Sequence, residues 1–411
     1  MVTSPELERT TILREADAAG GHLARICFKT GPPMFTGIEL EWTVHDAADP
    51  ARPVDRERLR AALGRHSPVT IDSTSPAEQL RHGSTVTVEP GGQLEISTAP
   101  RSSVAALILA TEADIAQVNG LLKAAGLVLG RTGIDPWRPP RPVLDTPRYR
   151  AMRCVFDRGG PAGRTMMYST AGLQVCLDAG EAVDLAARWA AVHAVGPPLL
   201  AAFATADRHA GRRTGWASAR MAAWLAIDPA RTRPVWSPAR PHQDPIAAWT
   251  EYVLAAPLLC LREEVRTGHR RPGSPSPTGS TAHCRAHPPP TTSTTTSARS
   301  SHPCGHGGYL EVRYLDEQAG PEWTVPLAVL SALLVDPGTV RAARAISEPV
   351  ADRWHPAARY GLGDPPLATA AAALLDLALE VLPRLDLPAR LHEDTSRGVR
   401  RRLAAAKRGH R

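Results

Sequence analysis

The 411-residue chain, 43% hydrophobic and 22% charged, is long enough to bury a sizeable core as one large α+β domain or two smaller ones. Met1 to Glu8 carries acidic residues where a secretory leader would carry a basic start, and no apolar run reaches membrane-spanning length, so a cytoplasmic protein without a membrane partner is expected. The formal charge of +7 is concentrated between Val265 and Gly308, which hold five Arg and five His but no Asp, Glu or Lys; the rest carries +2, which excludes the general basic surface of a nucleic-acid binder.

Residues 4–25 read as an amphipathic helix, with Leu7, Ile12, Leu13, Ala16 and Leu23 among its apolar positions. Gly37-Ile38-Glu39-Leu40-Glu41-Trp42 alternates apolar and acidic residues, the period of a strand, which puts Glu39 and Glu41 on one face. From Val88 to Thr98, Glu89, Gln93 and Glu95 surround the double-glycine turn Gly91-Gly92, with Gln93 and Glu95 predicted to point together. Residues 103–124 form a second helix, and Thr170 to Asp178 a strand that aims Gln174, Cys176 and Asp178 at one side. A long apolar helix follows over 181–204, then two more over 217–227 and 245–262, the first of which sets Arg220 and Trp224 four apart on one face. Tyr309 to Asp316 is a strand with Glu311 and Arg313 on a common face, and the last hundred residues are Ala/Leu-rich helix broken by prolines, ending in a basic tail over 398–411. There are no internal repeats. The six cysteines form no CxxC pair and read as buried free thiols, Cys176 among them as a small buried apolar residue.

Acidic residues are depleted in strands and need a reason to be there. Four converging carboxylates suit a hard cation, and magnesium is usually held by a few carboxylates plus substrate phosphates, which makes a nucleotide-dependent enzyme the natural reading. The plainer alternative is a pair of solvated strand faces.

Taken together, the motifs resemble glutamate-cysteine ligases of the plant and proteobacterial type, most closely the actinobacterial branch that serves ergothioneine biosynthesis. The resemblance rests on Gly37-Ile38-Glu39-Leu40-Glu41, on Glu89-Pro90-Gly91-Gly92-Gln93-Leu94-Glu95, on Asp135-Pro136-Trp137-Arg138 and on Gln174-Val175-Cys176-Leu177-Asp178. It continues through Thr214-Gly215-Trp216, Arg220, Trp224 and Tyr309-Leu310-Glu311-Val312-Arg313, and the order and spacing run through nearly the whole chain. It implies one catalytic domain over 1–411 of the α+β class, glutamine-synthetase-like, in which an antiparallel sheet forms one wall of an active-site funnel and helices cover its outer side. ATP would phosphorylate the γ-carboxylate of glutamate, and the amine of cysteine would displace phosphate. By the same resemblance Glu39, Glu41, Glu89, Glu95 and Glu311 are the expected Mg2+ ligands. Glu89 and Arg313 would serve catalysis, with Arg313 and Glu311 toward ATP. Gln174, Arg220, Trp224 and Met166 are the expected substrate contacts, Arg220 through its planar fork to an α-carboxylate. Each has a plain alternative: Arg313 an ion pair with Glu311, Arg220 a surface or capping residue, Gln174 a partner for a neighbouring strand, Met166 a core residue. Two other functions stay open, a carboxylate-amine ligase with a different amine and a catalytically inactive homologue.

The segment 267–307 departs from the family pattern. By composition it is a Pro/Ser/Thr/Arg linker that cannot form a core and is expected to be disordered as printed. A zinc site from His283, Cys284, His302, Cys304 and His306 would lack the usual paired spacing. A third reading takes each codon from the last base of one residue and the first two of the next, so that Ser gives Leu, Phe, Ile or Val, and Thr gives Asp, Asn, His or Tyr. Thr291 to Gly307 then reads DDLDYHLSTLFPPVRPR, which resembles the family's DLDYHLSTLFPPVRPRGYLE. Compensating frameshifts near Thr267 and Gly307 are therefore expected. A smaller departure is Phe203-Ala204-Thr205-Ala206-Asp207, where the family usually has Asn-Ser-Pro.

Overall fold

The computed structural model describes residues 16–257, 259, 304–306 and 309–409. The start of the 4–25 helix, the expected frameshift and the side chains of the zinc reading lie outside the described residues.

In chain order the strands are β1 Thr36–Trp42, β2 Val44–Asp46, β3 Thr85–Val88, β4 Leu94–Ser97, β5 Leu127–Leu129, β6 Gly172–Leu177, β7 Arg208–His209, β8 Arg212–Arg213, β9 Cys304–His306 and β10 Leu310–Asp316. Six of them build one antiparallel sheet in the order β3-β4-β1-β6-β10-β9. Glu39 stands opposite Gln174 on one side and Ser97 on the other, Glu41 opposite Glu95, and Glu311 opposite Cys176. Since successive side chains alternate, this register collects Thr87, Glu95, Glu39, Glu41, Gln174, Cys176, Glu311 and Arg313 on one face.

The other face presents Val86, Val88, Leu94, Ile96, Ile38, Leu40, Leu173, Val175, Leu310 and Val312, all buried in a single apolar cluster. Each such side chain contributes roughly 1.5–3 kcal/mol on burial. Helices Val104–Ala124, Leu185–Ala194, Gly196–Phe203 and Thr324–Leu333 pack behind β1, β6 and β10. The expected architecture is met: a polar sheet wall with helices on its outer side.

The predicted 181–204 helix is two helices, because Pro197 and Pro198 lack the N–H groups a continuous ladder needs and instead sit in the first turn of the second. The 217–227 helix runs Ala219–Ile227 behind a Ser218 cap, and the 245–262 helix stops at Ala255. The basic C-terminal stretch is helical through Gly409. Residues 398–409 are the second half of helix Ala389–Gly409, whose Val399, Leu403 and Ala406 are buried, and Arg402 donates to Gln318 Oε1 at 2.8 Å just past β10. By length and composition Val104–Ala124 and Pro365–Leu385 could cross a membrane, which corrects the expectation that no apolar stretch is long enough. Both are partly built into the core, through Leu107, Ile108 and Leu122 and through Leu367, Leu374 and Leu375. The turn left in doubt by the missing Asn-Ser-Pro is the β7–β8 hairpin. Thr205 anchors its root, giving its N–H to Asp316 Oδ2 at 2.9 Å and its hydroxyl to the Glu317 carbonyl at 2.7 Å.

Candidate active site

The sheet's polar face divides into two groups. The first centres on Glu41, whose Oε2 accepts the Gly172 N–H at 2.8 Å while the Gln174 amide lies 3.5 Å from Oε1. Burial, then the charges of Glu95 and Glu89, hold the Glu41 carboxyl well above the usual carboxylate range, with Arg220 and the Gly172 amide pulling the other way. Glu95 accepts the Thr87 hydroxyl at 2.7 Å and the Ser97 hydroxyl at 3.2 Å. Glu89 is delivered by the double-glycine turn, closed by Gly92 N–H to the Glu89 carbonyl at 2.8 Å. Gly92 has φ +85, and a Cβ on Gly91 would lie 2.2 Å from the Tyr168 carbonyl oxygen, so both glycines are required by shape. Gln93 precedes β4, and its amide braces the turn by donating to the Thr170 and Met167 carbonyls while its oxygen accepts the Gly91 N–H.

The second group lies toward β10. Arg313 Nη2 donates to Glu311 Oε1 at 2.8 Å, so the ion pair weighed from the sequence is present. Burial opposes the Arg313 charge, but Glu311 and then Glu39 outweigh it and raise its pKa. Burial, followed by Glu311 and Glu39, pushes the Cys176 thiol well up. Cys176 is half-buried, and with Glu39, Ser97, Thr98, Asp178 and Tyr309 it lines a cavity of about 250 Å³. This corrects its reading as a buried apolar residue: the strand's alternation turns it away from the core. Cys154 is exposed and Cys27 buried.

Arg220 is 2% exposed and does not offer its fork to an open funnel. Its Nη2 donates to the Arg313 carbonyl at 2.9 Å, Nη1 lies 3.9 Å from Asp316 Oδ1, and its guanidinium sits 5.8 Å from the Trp224 ring centroid. The guanidinium covers Gly172, where a Cβ would meet Nη2 at 2.3 Å. Met166 is half-buried against a satellite cluster of Phe156, Met167, Tyr168 and Ile227. Three buried polar atoms on or beside the wall, Gln174 Oε1, Arg313 Nε and Arg220 Nε, have no hydrogen-bond partner among the described residues.

Sequence reasoning missed Asp316 and Glu317. The register shifts between Val312 and Leu315, so simple alternation fails past Arg313 and the acidic pair turns behind the wall. Asp316 accepts the Ser218 hydroxyl at 2.8 Å and the Thr205 amide. Burial and Asp316 push the Glu317 carboxyl up to about 8.

Among the described residues no three His, Cys, Asp or Glu side chains gather as a ready-made metal cage. Glu41, Glu89 and Glu95 nevertheless fit magnesium, which keeps waters and phosphates in its shell and takes only one or two carboxylates from a protein. The mutual repulsion that raises Glu41 is what a dication relieves.

The profile of glutamate-cysteine ligase family 2 matches residues 35–408, a span that contains every strand of the sheet and both groups. The chain belongs to that family. Among family relatives, the glutamate-cysteine ligase EgtA of Mycolicibacterium smegmatis is 32% identical over 90% of this chain and 85% of its own length. EgtA of Mycobacterium tuberculosis is 34% identical over 94% and 89%. The chloroplastic glutamate-cysteine ligase of Nicotiana tabacum matches 35% of this chain at 30% identity, covering 28% of its own length. A crystal structure of the Francisella tularensis glutamate-cysteine ligase in complex with AMP aligns at a TM-score of 0.43 and 14% identity over 93% of this chain and 95% of that one, too loosely to carry an argument.

Proposed function

We propose that this member of glutamate-cysteine ligase family 2 joins the γ-carboxylate of L-glutamate to the amino group of L-cysteine at the expense of ATP, giving γ-glutamylcysteine for ergothioneine biosynthesis. The observation that carries the reading is the Glu41 group: three carboxylates that repel one another on a half-buried wall, beside a guanidinium and a glutamine with unused polar atoms. Glu41, Glu89 and Glu95 would hold Mg2+. When bound, the metal would neutralise the charge that develops on the transferring phosphoryl group. Phosphoryl transfer asks the protein mainly for positioning and charge. Arg313 supplies the fixed cation, its orientation locked by Glu311. Gln174, held between Glu39 and Glu41, offers Oε1 to orient a substrate N–H. The γ-glutamyl phosphate formed in the first step must be kept from water, and the closed packing around Glu95 and Gln174 serves that need. A cytoplasmic location belongs to this reading, since ATP, glutamate and reduced cysteine occur together there.

The test is ADP release that depends on both glutamate and cysteine, compared across other amines. Glu89→Ala and Glu41→Gln are each expected to lower the rate on the order of 100-fold, the scale of losing one preorganised electrostatic group, without unfolding the chain. A full rate in Glu89→Ala would sink the metal assignment, and an equal rate with an unrelated amine would favour the broader carboxylate-amine ligase.

A further inference from the structure

One buried cation is shared by two buried carboxylates. The Arg220 guanidinium lies against Gly172, where a Cβ would come within 2.3 Å of Nη2, and the N–H of the same glycine donates to Glu41 Oε2 at 2.8 Å. Arg220 and Glu41 therefore touch the same residue, and each feels the other's charge. A guanidinium buried this close to a carboxylate gains most by closing onto it. Here it does not close: among the described residues no hydrogen bond or ion pair joins Arg220 to Glu41. Nη2 donates instead to the Arg313 carbonyl at 2.9 Å, and Nη1 lies 3.4 Å from Met221 Sδ.

The competing carboxylate is Asp316, whose Oδ1 stands 3.9 Å from Arg220 Nη1. Asp316 is fully buried and firmly seated. Its Oδ2 accepts the Thr205 N–H at 2.9 Å and its Oδ1 the Ser218 hydroxyl at 2.8 Å, while Ser218 Oγ accepts the Met221 N–H at 3.1 Å and so has its own proton free for Asp316. Gly133 makes the room, since a Cβ there would lie 2.7 Å from Asp316 Cβ and Cγ. These neighbours all donate, which suits a charged acceptor. Burial raises the Asp316 pKa, and Arg220, the Thr205 amide and the Ser218 hydroxyl pull the other way. Asp316 acts on the Arg220 charge more strongly than Glu41 does.

We infer that Asp316 is a positioning residue for the Glu41 group: its charge balances Arg220 from behind the wall, so that the Glu41 carboxylate stays open to a dication. The inference rests on the ligase reading and deepens it, adding to Glu41, Glu89 and Glu95 a buried carboxylate that binds no ligand itself. In Asp316→Asn the guanidinium loses its counter-charge, and Glu41 is the remaining carboxylate that acts on it. Once paired with Arg220, Glu41 is withdrawn from the metal. A second substitution, Arg220→Gln, removes the excess cation and keeps an N–H for the Arg313 carbonyl, so it should undo the harm of the first. A merely structural Asp316 would instead make the double variant worse than the single one.

The readout is metal binding without turnover. Mn2+, which shares the oxygen ligands of magnesium, is titrated into the full chain in the absence of glutamate, cysteine and ATP, and the free ion is counted by electron paramagnetic resonance. Binding that Glu41→Gln removes marks the ion of the site. Asp316→Asn is expected to raise the Mn2+ dissociation constant about tenfold or more, and Asp316→Asn with Arg220→Gln to return it to within about threefold of the wild-type value. An unchanged constant in Asp316→Asn, or a double variant that binds no more tightly than the single one, overturns the assignment. Near-ultraviolet circular dichroism checks the fold of each variant. If Asp316→Asn does not fold, the double variant decides: it should fold and bind Mn2+ as the wild type does, because the uncompensated buried cation is gone, and a double variant that is unfolded or weak overturns the inference. A wild-type chain that binds no Mn2+ rejects the metal reading of Glu41, Glu89 and Glu95 and this inference with it, whereas wild-type binding that ignores Asp316 rejects the inference alone.

Discussion

Glu317 offers a quantitative test of the packing behind the site. It is 2% exposed, and beyond the Trp42 indole beside it neither carboxyl oxygen has a hydrogen-bond partner among the described residues. Burial and the adjacent Asp316 lift its pKa from 4.5 to about 8, with Arg131 and Trp42 offsetting a part. The folded chain therefore keeps a proton that the unfolded chain has released. A raised native pKa gives stability that is complete below the unfolded value and is lost as pH climbs through the folded one, here from about 4.5 to about 8. The slope approaches 1.4 kcal/mol per pH unit, and the whole change is on the order of 5 kcal/mol. Glu317→Gln keeps the shape and removes the titration. Urea unfolding followed by tryptophan fluorescence between about pH 5 and about pH 9 should show the wild-type protein falling away from the variant as pH rises, with the two close at the acid end. Parallel curves, or a variant that loses stability faster, would refute the reasoning and mean that the carboxyl is ionised in the fold.

Gly91→Ala should cost at least 1–3 kcal/mol and depress ADP release together with stability, since the new Cβ would stand 2.2 Å from the Tyr168 carbonyl oxygen and neither backbone can yield without moving Glu89; denaturation midpoints and steady-state rates check this. Gly120→Ala is the opposite case: it lies inside helix Val104–Ala124 with nothing within 4 Å of the added carbon, so a gain of about 0.5–1 kcal/mol in unfolding free energy with unchanged activity is expected. Resequencing the DNA from codon 255 to codon 315 is expected to reveal two compensating single-base changes that restore DLDYHLSTLFPPVR. Confirmation of the printed frame would reject the frameshift and turn attention to an inactive homologue, to be tested by the same ADP assay.

What was legible in the chain was whatever depends on period and local chemistry. The alternation of Glu39 with Leu40 and of Gln174 with Val175 announced β1 and β6, and the helices expected over 103–124 and 217–227 begin within two residues of those bounds. The pairing of Arg313 with Glu311 was open as an alternative, since their two-residue spacing on a strand permits it. What was not legible depends on neighbours far along the chain. Arg220 reads as a free fork until Asp316 and the Arg313 carbonyl, some ninety residues on, enclose it. Gln93 reads as a strand residue until the Thr170 and Met167 carbonyls claim its amide. Glu39 and Glu41 share a face and a strand, and only the identity of the strands on either side separates their company.

The sheet's two faces have a bearing on how the enzyme fails. Ile38 and Leu40 anchor the core while Glu39 and Glu41, interleaved with them, carry the chemistry, and the same holds for Val175 around Gln174 and Val312 beside Arg313. A slip of one residue in any of these strands would carry carboxylates into the apolar layer and leucines into the funnel. The chain thus has no well-packed off-register form in which the reactive groups are misplaced, so correct assembly of the hydrophobic layer serves as an error check on the arrangement of the reactive one.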